Sequence, residues 1–459
     1  MSRSSDAAEG DRHRVVVVGG GFGGFEAAHR LRNADVDVTV VDRRNHHLFQ
    51  PLIYQVAAGG LSSGEVAAPI REILKRQANA SVLMAEVTDV DVDRRQVVLD
   101  RGERLDYDSL ILACGGETSY FGHDEWQEVS CPLKTLADSV DLRTRIFGAF
   151  EEAERTTDPA TRDEWLTFVV VGGGPTGVEI SGLLAILSRR ALRRDFRRID
   201  PRAAQVILLD AGERVVPGFS EKTSATAAKG LGDLGVTVRE HAMVTEIDAR
   251  GVTVKIGTNT ERIASRTVVW AAGVRIAAIA EILARATGAS TDRAGRIKVN
   301  PELTVPGHPE ISVLGDAANV TGEDGKPLPG FATTAIQQAR HVAEAIRNGD
   351  PGASKPFKYF DKGALAVVGR GKAVGEVRGH RLSGRLAFVM YLGVHLFCLG
   401  GVGGRRITVL STWISAPIRG APEPDHRGRP GDRRAPAASR ASRDPADAEQ
   451  RLTDTLSRQ

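Results

Sequence analysis

Two stretches of this sequence, VVVVGGGFGGFE at 15–26 and VVVGGGPTGVEI at 169–180, each carry glycines spaced G-x-G-x-x-G. They are Gly19, Gly21 and Gly24 in the first, and Gly172, Gly174 and Gly177 in the second. That spacing suits the binding of a pyrophosphate. The first glycine permits a tight turn, the second lets the backbone approach the phosphates, and the third lets the next helix pack close. The helix start then offers free N–H groups and a positive dipole end to the anion. Each loop is also followed by an acid at the end of an apolar run, Asp42 after Val36–Val41 and Asp210 after Val206–Leu209. Such an acid accepts hydrogen bonds from ribose hydroxyls. At Asp210 it would also repel a 2′-phosphate, which favours NADH over NADPH.

The elements that must hold these loops are legible around them. Val15–Val18 and Phe168–Val171 are apolar, β-branched runs that read as buried parallel strands. Phe22–Asn33 reads as a helix, and a second helix starts at about Pro175, a favoured first-turn residue. The return to Asp210 is long because SRRALRRDFRRIDPRA intervenes at 188–203. Its arginines read either as contacts to a phosphate-bearing ligand or as the solvated face of an extended helix. Asp91–Asp106 reads as a hairpin turning at Asp93-Arg94-Arg95. The fold class is therefore α/β, with two Rossmann-like dinucleotide-binding domains.

Two dinucleotide sites in one chain suggest electron transfer between a tightly held flavin and a diffusible nicotinamide. A third element fits the flavin. ISVLGDAAN at 311–319 reads as a strand ending in Gly315-Asp316, and a helix follows with Ala332, Ala335, Ile336, Ala339 and Ala343 at helical spacing. In two-dinucleotide flavoproteins such an aspartate binds the ribityl chain, and the helix dipole stabilises charge on the ring.

Composition narrows the classes. The chain has 459 residues, enough for two or three domains, and a net charge of +3. That balance does not point to nucleic acid. Cys114, Cys131 and Cys398 are far apart with no CxxC, so neither a zinc site nor a disulfide-exchanging pair is expected. His46 and His47 are adjacent and do not share a face, so no metal site is expected there.

With these motifs in place, the chain resembles the type II NADH dehydrogenases, the non-proton-pumping NADH:quinone oxidoreductases. The resemblance covers roughly residues 12–418. It is carried by HLFQPLIYQVAAGGLSSGEVAAPIR at 47–71, LILACGGETSYFG at 110–122 and CPLKTLADSVDLR at 131–143. GGGPTGVEISG at 172–182, VVWAAGV at 268–274, LPGFATTAIQQARHVAEAI at 328–346 and KGALAVVGRGKAV at 362–374 carry it as well. It implies an FAD domain made from 11–125 and 296–350, an NADH domain over 126–295, and a membrane-docking or dimerising region over 351–420. It implies FAD on Gly19, Gly21, Gly24, Asp42, Gly315 and Asp316, and NADH on Gly172, Gly174, Gly177 and Asp210. Glu179 matches a family glutamate near flavin and nicotinamide, placed to tune the site or relay protons; the alternative is an acid that merely favours the helix start. Gln337 matches a glutamine at the flavin–quinone face, the alternative being an ordinary exposed helix residue.

The chain departs from the family pattern at three places. Thr333 replaces a glutamine of the usual AQxAxQ, Ile186 a frequent glutamate and Cys114 a usual threonine. These changes put the acceptor, menaquinone, ubiquinone or a non-quinone oxidant, in question, and an NADH-binding redox sensor is the non-enzyme rival. Leu386–Gly404 is uncharged, but its glycines should end a helix near Leu399. From about Gly384 that helix is roughly 24 Å long against a hydrocarbon core of about 30 Å. With 407–418 it reads as a monotopic hairpin on the lipid bilayer surface at the cytoplasmic face, or as a buried helix at a homodimer interface. Residues 421–459, rich in Pro, Arg, Asp and Ala, read as a disordered tail.

Overall fold

A computed structural model describes residues 12–323, 325–349, 352, 355–399 and 409. The expected tail over 421–459, and the amphipathic stretch 407–418 apart from Val409, lie outside the described residues. In chain order, β1 (His13–Val18), α1 (Phe22–Arg30) and β2 (Val36–Asp42) form the first unit, followed by α2 (Ile53–Ala57) and β3 (Ser109–Leu112). The second unit is β4 (Thr167–Val171), α3 (Pro175–Ile186), β5 (Gln205–Leu209) and β6 (Thr267–Trp270). Then come β7 (His308–Val313), α4 (Ala332–Arg347), β8 (Ala364–Gly369), β9 (Lys372–Val377) and α5 (Gly384–Cys398).

These elements build two sheets on one plan. The first runs Thr304–Val305, β7, β3, β1, β2, Ala80–Met84, all parallel except the first pair. The second runs Cys131–Pro132, β6, β4, β5, Val236–Arg239, all parallel. In each, the strand before the glycine loop lies centrally, with later strands on both sides. That is a topological switch point, and a crevice opens at the strand ends there. Val15–Val18 and the whole of β4 are buried, as strands covered on both faces must be. β7 joins the first sheet beside β3, although nearly 200 residues separate them in sequence.

Two local readings need correction. Residues 188–203 do not extend the helix: α3 passes into one π-turn, Leu187–Ala191, and then into irregular chain before a short turn at Pro201–Ala203. A continuous helix would stack arginines at i, i+3 and i+4, which repel. Instead Arg189 donates to the carbonyls of Leu234 and Gly235. Glu154 accepts the backbone N–H groups of Arg197, Arg198 and Ile199 at 2.9–3.0 Å. The expected hairpin does turn between Asp91 and Gln96, but it is a three-stranded meander of Val87–Asp91, Gln96–Leu99 and Arg104–Asp106.

Candidate active site

The two glycine loops have the same stereochemistry. Gly19 and Gly172 take φ of +102° and +108°, which a side chain rarely adopts. A Cβ on Gly24 would lie 1.8 Å from the Gly19 carbonyl oxygen, and one on Gly177 would lie 1.8 Å from that of Gly172. Gly21 and Gly174 have no such neighbour within 4 Å and face open space. Both are N-caps without a side-chain hydrogen bond, so the first N–H groups of α1 and α3 are left for an anion. The acids match too. Asp42 accepts from the N–H of Gly20 at 2.6 Å and of Arg44 at 2.7 Å; Asp210 accepts from Gly173 at 2.5 Å and Gly212 at 2.7 Å. Each carboxylate thereby ties its loop to the next strand.

Both loops open on one cavity of about 2260 Å³. A single small-molecule site occupies roughly 300–1,000 Å³, so this one has room for more than one large ligand. Asp316 lines it from a short turn, Gly315–Ala317, at the end of β7, where Gly315 has φ +66°. Lys134 Nζ lies 3.6 Å from the Asp316 carboxylate inside the same cavity. His47 Nδ1 donates to the Gly20 carbonyl at 2.9 Å, and burial lowers its pKa, so the ring is a neutral buttress of the first loop. Cys114 also lines the wall, and burial pushes its thiol up to about 12, which leaves no thiolate for redox exchange.

Glu179 does not cap its helix. It is the fifth residue of α3, 8% exposed, and its carboxylate accepts from the Val367 N–H of β8 at 3.2 Å. Gly182, one turn on, allows this approach, because a Cβ there would lie 1.8 Å from the Val368 carbonyl oxygen. Burial raises the Glu179 pKa to about 8, against which the bonds from Val367 and the Tyr391 hydroxyl work only partly. Tyr391 comes from α5, and both residues line the cavity.

Gln337 is placed differently from its expected position. Its amide accepts from the Phe360 N–H at 3.0 Å and donates to the Phe360 carbonyl at 3.1 Å and the Thr333 carbonyl at 3.2 Å. It clips the chain at Phe360 and is not among the cavity-lining residues, whereas Thr333 and Ile336 are. Its neighbour Gln338, which sequence reading passed over, is buried and accepts from the Gly315 N–H at 2.7 Å, fixing the Asp316 turn. The helix α4 periodicity held the signal that it faces inward, since Gln338 lies three or four residues from the buried Thr334, Ala335 and Val342.

The third wall of the cavity includes α5. Ala387 and Tyr391 are buried, while Leu386 and Val389 are each 62% exposed, and Phe397 is 78% exposed. With 15 residues the helix is about 22 Å long, and among the described residues no helix is long and apolar enough to cross a membrane.

Paired dinucleotide cradles on one cavity define a two-nucleotide oxidoreductase, and residues 13–339 match the family model described as pyridine nucleotide-disulphide oxidoreductase. The type II NADH:quinone oxidoreductase Ndh of Mycobacterium tuberculosis is 45% identical over 410 residues, covering 88% of this chain and 87% of that protein. NdhA of the same organism is 44% identical over 423 residues, covering 90% and 89%. The chain belongs to the type II NADH:quinone oxidoreductases within that family. The fold agrees: NDH2 of Plasmodium falciparum, solved with NADH, overlays with a TM-score of 0.82 at 19% identity, over 90% of this chain and 99% of that one.

Proposed function

We propose that this protein is an FAD-dependent enzyme that oxidises NADH and reduces a membrane quinone without pumping protons, working as a homodimer on the cytoplasmic membrane face. The observation that carries the reading is the pair of matching cradles opening on one cavity, with a lipid-suited helix as a further wall. FAD fits the first cradle: its open glycine and uncapped helix start suit the pyrophosphate, its acid the adenosine ribose, and the Asp316 turn the ribityl chain. When bound, FAD supplies the two-electron chemistry between nicotinamide and quinone. The chain supplies the rest. The N–H groups after Gly21 and Gly174 bind the two pyrophosphates, Asp42 and Asp210 orient the riboses, and Glu179 holds a proton beside the reacting end. Menaquinone and ubiquinone are both candidates for the acceptor.

The direct test is NADH oxidation by the FAD-loaded protein in lipid without oxygen, with and without a menaquinone or ubiquinone analogue. Turnover that depends on quinone supports the reading. Bleaching of the flavin by NADH with no reoxidation by either quinone rejects the acceptor.

Two further results are expected. Asp210→Ser should raise KM for NADH about tenfold and narrow the NADH-over-NADPH preference by a similar factor, since both the ribose acceptor and the charge opposing a 2′-phosphate are lost; paired steady-state kinetics reads this. Val389→Glu should cut co-sedimentation with anionic vesicles severalfold, because a carboxylate replaces an exposed methyl pair on α5. Turnover with a water-soluble quinone should hold.

A further inference from the structure

Among the described residues, no hydrogen bond reaches the Asp316 carboxylate, and its one ion-pair partner is Lys134 at 3.6 Å. That distance exceeds a hydrogen bond, so the contact is Coulombic and leaves the ammonium donors unspent. Glycine backbone hems the carboxylate elsewhere. A Cβ on Gly330 would lie 3.0 Å from its Oδ1, and one on Gly116 would lie 3.5 Å from its Oδ2. Both charged side chains line the cavity and are mostly covered, at 20% exposed for Lys134 and 30% for Asp316, so they are not a solvated surface pair. Other cations on the same wall are already committed. Arg43 is held by Glu117 at 2.8 Å and Arg340 by Glu26 at 2.6 Å.

Lys134 belongs to the other half of the molecule. It follows Cys131–Pro132, the edge strand of the second sheet, and precedes the helix Leu136–Arg155. Asp138 accepts from the N–H groups of Lys134 at 3.0 Å and Thr135 at 2.7 Å, while the Thr135 hydroxyl oxygen accepts from the Asp138 N–H at 3.1 Å. This capping box fixes the backbone from which the side chain leaves. The ammonium then reaches the turn at the end of β7, which is part of the first sheet.

A carboxylate can only accept hydrogen bonds and an ammonium can only donate them. Side by side and unspent, they suit a partner with donors and acceptors at adjacent positions, which is what a polyol offers. The ribityl chain of FAD is such a group. It joins the ring next to the edge where negative charge gathers when flavin is reduced.

We propose that Lys134 is a flavin-binding residue supplied by the second sheet: beside Asp316, its ammonium donates to the ribityl chain at the ring junction and stabilises the negative charge of the reduced ring. This rests on FAD occupying the first cradle. Asp316 accepts from one ribityl hydroxyl while Lys134 donates to its neighbour, so the flavin is gripped from both halves of the chain. The cation raises the reduction potential of the flavin and Asp316 opposes it.

The test reads two properties of the FAD-loaded protein: its flavin midpoint potential, by equilibration with a reference dye without oxygen, and the flavin kept per chain after dilution. Lys134→Met should lower the potential by the equivalent of about tenfold in the ratio of reduced to oxidised flavin, about 30 mV for a two-electron couple. It should also weaken flavin binding about tenfold, the worth of one charged hydrogen bond. Lys134→Arg should restore most of the potential. Asp316→Asn should weaken binding as well but move the potential up, because the opposing charge is gone. An unmoved potential in Lys134→Met overturns the proposal even if flavin is lost, since a mere brace between the sheets would do only that. Shifts of one sign in Lys134→Met and Asp316→Asn overturn it too. Should Lys134→Met purify without flavin, Lys134→Gln, which keeps a donor and drops the charge, is read in its place, and an unmoved potential there overturns it. If the wild-type protein binds no FAD, the cradle reading fails first, and this inference falls with it.

Discussion

A single methyl group at position 24 is expected to yield a colourless protein, while the same methyl at position 177 should leave it yellow but unresponsive to NADH. In both places the added Cβ would lie 1.8 Å from a carbonyl oxygen of the same loop. Ordinary contact is about 3.5 Å, so helix and strand must separate by well over an ångström, and neither is free to move. Ala27 and Ala28 of α1 share one core cluster with Val15 and Val17 of β1, and α3 packs against β8 through Gly182. The N–H groups proposed to bind phosphate would therefore lose their alignment. Gly24→Ala should retain under a tenth of the flavin per chain, read from absorbance after purification. Gly177→Ala should retain the flavin and lose at least tenfold in kcat/KM for NADH. The contrast assigns each cradle to its nucleotide. If both variants lost flavin equally, that assignment would be wrong.

The second large effect concerns Glu179. A carboxyl whose folded pKa is about 8 and whose unfolded pKa is near 4.5 penalises the folded state as pH rises. The penalty is absent below about pH 4.5, grows through neutrality and is complete above about pH 8. Its size at high pH is on the order of a few kcal/mol. Glu179→Gln keeps the shape and removes the charge. It should unfold at a higher temperature than the parent at pH 9 and at a similar one at pH 5. Thermal melts at the two pH values decide this, independently of turnover. Equal offsets at both would mean that the carboxyl is not buried as described.

Both cradles were legible in the sequence because everything they need is local. Strand, glycines, helix and acid fall within about 40 residues at each site. Glu179 was legible as a residue but not as an environment, since its partners Val367 and Tyr391 lie about 190 and 210 residues downstream. No periodicity announces a contact of that kind. Gln337 and Gln338 show the limit more sharply. They are neighbours of one type on one helix; periodicity turns Gln338 inward, but only the fold supplies its partner at the Asp316 turn and that of Gln337 at Phe360. The arginine run misled for a different reason. Its spacing fits a helix, but repulsion and the tertiary acceptors at Leu234, Gly235 and Glu154 outweigh the pattern. Lys134 stood inside a quoted motif, yet nothing in its surroundings foretold a place beside Asp316.

The position of β7 bears on how this chain is made. β3 leaves the ribosome with its outer edge bare, and the strand that covers it, β7, follows nearly 200 residues later. At roughly 5–20 residues per second, that edge waits on the order of ten seconds or more, while the second sheet can already close from contiguous chain. The nascent protein should thus complete its second sheet first and spend that interval with an unpaired strand exposed to other chains. No ligand of the first glycine loop can shorten the wait, because β7 and the Asp316 turn at its end are the part still to be synthesised.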